Sequence, residues 1–401
     1  MVVVGAGPCG LGCGRELEAL GHDDFELIES SMAAGGLAAS VVDPVGFTWD
    51  RGGHVVFSHY GEFDRLLDEV MAADLLTHDR SSFIRVADRW VPYPFQNHLH
   101  HLPVEHAEAA IVGLIEAHSE RAIGSPADDF GSWMQTRFGA GICEQFMVPY
   151  NRKVWAHPAS DMSARWVAER VSTVDWRTAL RCLLRGVDAP GWGPNDRFAF
   201  PRHGGTGEVY RRAADRLDGH IGYGLEVRAV DPVRRIVTTG DGAERGYNSL
   251  VWTGALDQLI TMLTVAPAPV RAAAAALVYT SVVVVGIGYE SPLTDDRSWL
   301  YFPGTDVPFY RATNFAKYAA ANVPGGDTDR YSSWMCEVSS SATHPTAGDD
   351  ALVDRVDAAL RTTGVVAPDA PVVSRHLETL PYAYPVPTRG RDRALRTLLP
   401  W

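Results

Sequence analysis

The sequence predicts an α/β fold, and three observations carry that expectation. The first forty residues read strand, glycine turn, helix, strand, with Gly5, Gly7 and Gly10 in GxGxxG spacing, a Rossmann-like βαβ opening. Helical periodicity follows over 103–124 and 163–186. After that, short strands and helices are interleaved with no single linker, so domains assembled from non-contiguous segments are expected.

The elements follow in order. Val2-Val3-Val4 is the first strand, a helix runs from the glycine turn to Leu20, and Phe25–Ile28 forms a second strand ending at Glu29. In the first helical segment Ile111, Leu114, Ile115 and His118 share one face. Phe130–Phe146 reads as a helix broken at Gly139 and Gly141. A hairpin, Leu225–Asp231 and Arg234–Thr239, turns at Asp231-Pro232, and Leu250–Trp252 and Val282–Ile287 read as short buried strands. Ala272–Tyr289 carries no charge over 18 residues, near the length that crosses a bilayer. It divides at a Tyr-Thr-Ser hinge into an alanine-rich helix end and a β-branched strand, so a buried helix–strand pair is expected instead.

Composition narrows the function classes. The chain has 401 residues, 46% hydrophobic and 21% charged, as an ordinary globular protein of two or three domains does. A net charge of −13 argues against nucleic acid or an anionic membrane as partner, so an anionic ligand needs a local cluster of positive groups. The only lysines are Lys153 and Lys317. Five scattered cysteines without a CxxC pair fit reduced, cytoplasmic thiols better than a disulfide framework. His98, His100 and His101 lack the spacing of a metal motif and read as surface or loop residues, so no metal is expected. The N-terminus has neither the basic region nor the cleavage site of a signal peptide.

The glycine motif has a specific physical content. Gly5 allows the tight turn, Gly7 lets backbone approach a pyrophosphate, and Gly10 lets helix and strand pack closely. The helix N-terminus adds unpaired N–H donors, and Glu29, 19 residues after Gly10, is placed to accept from an adenosine ribose. A second turn, Gly35-Gly36-Leu37, follows Glu29 closely. NAD has no need of it, whereas the longer FAD does, so FAD is the expected cofactor. In Asp50-Arg-Gly52-Gly53-His54 glycines again stand where backbone must touch a flat ring, and His54 is placed beside the flavin.

The motifs GAGPCGLG, GGLA, GGHVVFSHY, VPYPFQN, VPYNRKVWA, AERV, GWGPN, FPRHGGTG, WLYFP and PFYRATNF resemble UDP-galactopyranose mutase, in order and over nearly the whole chain. VPYPFQN is similar to the eukaryotic-type branch. The resemblance implies an FAD domain from 1–78, 203–262 and 350–401, a helical domain over 100–190, and a mixed-sheet substrate domain from 79–99, 191–202 and 275–345. It also implies that reduced FAD interconverts UDP-galactopyranose and UDP-galactofuranose with no net redox, flavin N5 attacking the anomeric carbon.

Residue roles follow from the same resemblance. Arg170 and Arg311 match two diphosphate-binding arginines, for which fixed guanidinium groups suit better than ammonium groups. Tyr318 and Tyr384 match phosphate-contacting tyrosines. Tyr93, Phe95 and Gln96 match the uridine pocket, and Asn151, Trp155, Asn195 and Trp299 match other cleft positions. Gly53 and His54 match the loop beside flavin N5. Cys9, Gly36, Leu37, Gly52, Arg80 and Val227 are assigned with Gly5, Gly7, Gly10 and Glu29 to the cofactor site, Val227 flanking the adenine. The implied partners are a UDP-sugar and an electron donor, NAD(P)H or a reductase, and a homo-oligomer is compatible with the sequence. The alternatives are a flavin oxidoreductase of the amine-oxidase type, a mutase acting on another NDP-sugar, and a flavin-free remnant. Family chains continue past the equivalent of Leu399-Pro400 with a further flavin-contacting segment. This sequence stops at Trp401, so the expectation is either a trimmed piece or a flavin site lacking one wall.

Overall fold

The structure is a computed structural model that describes residues 1–121, 127–167, 171–189 and 196–401. Its opening unit is the expected one. Val2–Val4 pairs in parallel with Glu26–Ile28 on one side and Leu250–Trp252 on the other, and Ile221–Gly222 completes a four-stranded parallel sheet. The helix Pro8–Ala19 starts at Gly7 with Pro8 in its first turn, where a missing N–H costs nothing. The hairpin Val227–Asp231 and Ile236–Thr239 is extended by Glu244–Gly246 into a three-stranded sheet.

The mixed sheet has seven strands. In order they are Val372–Pro385, Tyr279–Tyr289, Ser332–Ser340, Arg311–Asn314, Trp299–Tyr301, Ser82–Val86 and Arg89–Pro92. All neighbours are antiparallel except Trp299–Tyr301 with Ser82–Val86. The uncharged stretch is the expected pair, a helix Ala268–Ala275 and the strand Tyr279–Tyr289. No helix among the described residues is long and apolar enough to cross a membrane. Val372–Pro385 lies in the segment assigned to the FAD domain, yet its backbone is hydrogen-bonded along Tyr279–Tyr289. A boundary at 350 therefore does not follow the sheet.

The helical region packs Val104–Arg121 against Phe130–Ile142 over a core that includes Phe95, Met134, Phe138 and Phe146. The break foreseen in the second helix falls at Gly139, with φ +73°. A Cβ there would lie 2.0 Å from Gly113 O, so glycine serves both the turn and the close helix contact. The second predicted helix is shorter than 163–186 and spans Trp176–Arg185, capped by Asp175 accepting from Thr178 N. Ser163 N is bonded instead to Pro387 O at 2.8 Å, which draws that backbone out of helical register.

Two contacts position the site. The hairpin Ser40–Val42/Thr48–Asp50 lies on the long strand Tyr279–Tyr289, where a Cβ at Gly286 would be 2.5 Å from Trp49 and one at Gly288 would be 2.6 Å from Phe47. That contact seats Asp50–His54 over the middle of the seven-stranded sheet.

Candidate active site

A cavity of about 900 Å³ opens at the carboxyl ends of the parallel strands, where α/β sheets commonly bind ligands. Gly5, Gly7, Cys9, Glu29, Gly36, Leu37 and Val227 all line it. Gly5 takes φ +103°, and a Cβ on Gly10 would sit 1.9 Å from Gly5 O, so turn and helix meet backbone to backbone. Gly36 faces Gly7, with a Cβ on Gly36 reaching 3.1 Å from Gly7 Cα. Glu29 is buried, its Oε2 accepting from Ala6 N and its Oε1 from Ser31 N, each at 2.8 Å. Carboxylate oxygens hold two lone pairs each, so acceptor capacity remains. Half-buried Trp252 and the strand end Tyr382–Tyr384 line the cavity too.

Beyond the cavity's Tyr384, a second group of expected residues is built on the seven-stranded sheet. Arg311 stands opposite Glu337 in antiparallel register, and its Nη2 donates to Oε1 at 2.6 Å and Oε2 at 2.8 Å. Glu337 is 1% exposed and also accepts from Gly53 N at 2.5 Å and from the Tyr310 hydroxyl. One carboxylate thus ties the glycine loop to the guanidinium. Burial opposes ionisation of Glu337, but Arg311 and the Tyr310 and Gly53 hydrogen bonds outweigh it, so its pKa is lowered. Arg311 Nε is buried without a hydrogen-bond partner among the described residues, as is His54 Nδ1. Burial, with Arg311 adding to it against Glu337, lowers the His54 pKa and favours the neutral ring.

Tyrosines surround this pair. Tyr93, Tyr301, Tyr150 and Tyr310 form a run of neighbouring rings with centroids 5.6, 5.3 and 6.4 Å apart. Tyr384 packs by its ring on Trp155 at 5.9 Å, and Tyr318 on Trp299 at 6.5 Å. Burial raises the pKa of Tyr150, Tyr301, Tyr310, Tyr318 and Tyr384, so all are hydroxyl donors at neutral pH. Trp299 Nε1 donates to Tyr301 Oη at 2.6 Å, and Asn151 Nδ2 donates to Met147 O at 2.8 Å.

Other expected site residues are placed differently. Phe95 is 0% exposed inside the helical core, so its ring has no face for a base. Gln96 is likewise buried and spends its amide N–H on Ser172 O at 2.6 Å. Tyr93 packs against the core that holds Phe95, and the Tyr93-Pro94 bond is cis. Arg80 lies outside the cavity lining, as do Gly53, His54, Tyr93, Asn151, Trp155, Trp299, Arg311 and Tyr318, and its guanidinium is 5.0 Å from the centre of the Tyr93 ring. Gly52 takes φ +111° in the loop against Glu337, where a Cβ would lie 3.5 Å from Oε1. Arg170 and Asn195 fall outside the described residues. His98, read as a surface or loop residue, is buried, with Nδ1 2.9 Å from Pro94 O.

Glu337, Tyr310, Tyr301 and Tyr150 were missed. Glu337 did carry a signal, being the single charge in the otherwise uncharged strand Ser332–Ser340, where an unpaired acid would be costly. Flavin and dinucleotide fit what is present: a glycine cradle that side chains would fill, and an orphaned His54 Nδ1 in the loop above the sheet.

Comparison with known proteins agrees. The family model for flavin containing amine oxidoreductase matches residues 8–398. A solved reduced UDP-galactopyranose mutase is 36% identical, with a TM-score of 0.95, covering 100% of this chain and 85% of that one. A protein assigned as a protoporphyrinogen oxidase from Exiguobacterium sp. is 16% identical with a TM-score of 0.74, covering 99% and 89%. Putrescine oxidase bound to putrescine is 14% identical with a TM-score of 0.64, covering 98% and 89%. The last two share the fold alone.

Proposed function

Because the chain belongs to the flavin containing amine oxidoreductase family and, within it, to the UDP-galactopyranose mutases, we propose that it interconverts UDP-galactopyranose and UDP-galactofuranose on reduced FAD with no net redox change. The full-length likeness to the reduced mutase carries this reading. When bound and reduced, FAD supplies the nucleophile for the anomeric carbon.

The remaining work falls to this chain. Gly5, Gly7, Gly10 and the helix N-terminus hold the pyrophosphate, Glu29 holds the ribose, and Val227 flanks the adenine. Gly53 and His54 present backbone and a neutral ring to the flavin. Arg311, fixed by Glu337, neutralises the departing diphosphate without reorganising, and Arg170 joins it. Tyr318 and Tyr384 donate hydroxyls to the phosphates. Asn151, Trp155, Asn195 and Trp299 line the sugar, and Tyr93, with Arg80 stacked on it, covers the base. An amine-oxidase reaction is not favoured, because the likeness to the mutase is at 36% identity over the whole chain while the likeness to putrescine oxidase is at 14%. NAD(P)H or a reductase supplies the electrons, and the chain works in the cytoplasm. Scattered cysteines and the need for reduced flavin support that setting.

The test is incubation of the flavin-loaded protein with UDP-galactofuranose and dithionite, followed by chromatography. Conversion to the pyranose is expected. If none forms while FAD is bound, the galactose assignment fails.

A further inference from the structure

Away from the cleft, two imidazoles converge on one carboxylate. His100 and His101 lie on the short turn Leu99–His101, and Asp188 lies three residues beyond the helix Trp176–Arg185. Asp188 Oδ1 is 3.3 Å from His100 Nε2 and 2.8 Å from His101 Nε2. The two rings are 4.2 Å apart, inclined at 43°. One donor atom from each of the three residues lies within 4.8 Å of the others.

That spacing has a specific chemical meaning. Around a tetrahedral zinc ion, with bonds of about 2.0–2.1 Å, adjacent ligand atoms stand roughly 3.3 Å apart. The three side chains therefore sit near coordination distance already. We propose that His100, His101 and Asp188 form a divalent transition-metal site, which two imidazoles and one carboxylate suit for Zn²⁺ and for neighbouring ions such as Co²⁺ and Ni²⁺, with water completing the shell.

Without an ion, His101 Nε2 and Asp188 Oδ1 are hydrogen-bonded at 2.8 Å. A bound metal would take the place of the proton in that hydrogen bond, as ligation requires. His98 stands behind the group, its ring 6.5 Å from that of His101, and is not a ligand. His100 Nδ1 is buried without a hydrogen-bond partner among the described residues, so no acceptor orients that ring from behind. Outer partners of that kind are worth about 10–100-fold in affinity. Micromolar binding is therefore expected, not the tighter binding of a structural zinc. The ion would join the turn after the Tyr93 segment to a chain segment 87 positions away.

The experiment uses flavin-loaded protein without a histidine tag, stripped by chelator and titrated with ZnCl₂ in a calorimeter. One ion per chain is expected, with a melting-temperature rise of about 2–5 °C at a hundredfold excess over Kd. MgCl₂ should give neither, because Mg²⁺ prefers oxygen ligands. His101→Ala and Asp188→Asn, with unchanged circular dichroism and flavin content, should each weaken Zn²⁺ at least tenfold. No zinc binding by the parent chain at millimolar concentration, or equal binding in both variants, overturns the proposal.

Discussion

Arg311 and Glu337 occupy directly opposed positions on adjacent antiparallel strands and share two hydrogen bonds through a single guanidinium nitrogen. The carboxylate that fixes the guanidinium also holds Gly53, so the charge and the loop above it cannot be set independently. Glu337→Gln keeps the shape and removes the charge, leaving Arg311 with uncompensated charge. Breaking a buried pair costs about 3–5 kcal/mol when one partner is lost, and a retained amide hydrogen bond should lessen that. A lower melting temperature and a turnover loss of about tenfold or more are expected, with flavin absorbance retained.

The arginines themselves separate chemistry from cofactor retention. Arg311→Ala and Arg170→Ala should each lose turnover by about 10²–10³-fold, the usual effect of removing a charge-stabilising donor, while keeping FAD. Steady-state assays paired with flavin spectra decide this. Flavin loss in either variant would mean that the residue has been misplaced.

Gly10 carries the opposite expectation. A Cβ would fall 1.9 Å from Gly5 O, so Gly10→Ala must separate the first strand from its helix. The purified variant should be colourless or bind FAD at least tenfold more weakly in an equilibrium titration.

Asp50 gives a pH dependence with a definite sign. Burial, opposed by hydrogen bonds from Ser40 and Thr206, pushes its pKa from 3.8 up to about 7. As pH rises through that window the unfolded chain loses the proton while the folded one keeps it. Stability should therefore fall between pH 4 and pH 7 by an amount on the order of 4 kcal/mol, then level off. Asp50→Asn should flatten this part of a melting-temperature curve.

Lys153 sits where three carbonyls meet, its Nζ donating to Phe302 O and Gly304 O at 2.9 Å and to Val307 O at 3.0 Å. Lys153→Met strands those acceptors and should cost about 2–4 kcal/mol, read from a urea midpoint. Lys153→Arg should not restore it, since a planar guanidinium cannot aim three donors at one point.

What was legible in the sequence was local. Gly5, Gly7, Gly10 and Glu29 lie on one strand–turn–helix and the end of the next strand, so spacing alone located them. Phe95 and Gln96 share a motif with Tyr93, but linear order does not say which of them turns inward, and only Tyr93 remains partly accessible. Glu337 required its strand to be recognised as buried throughout. The helix foreseen over 163–186 was shortened by a backbone bond to Pro387, which periodicity cannot register. Asp188 joins two histidines across 87 positions, a distance over which no motif speaks.

The strand order adds a consequence for selectivity. Arg311 and the strand ending just before Tyr93 are separated by Trp299–Tyr301 and Ser82–Val86, three inter-strand steps in one continuous sheet. At the usual spacing that is roughly 14 Å. The two ends of the cleft are thus held apart by hydrogen-bonded backbone instead of by mobile loops. On the proposed roles the sheet would work as a ruler, gauging a ligand by its length as well as by its chemistry.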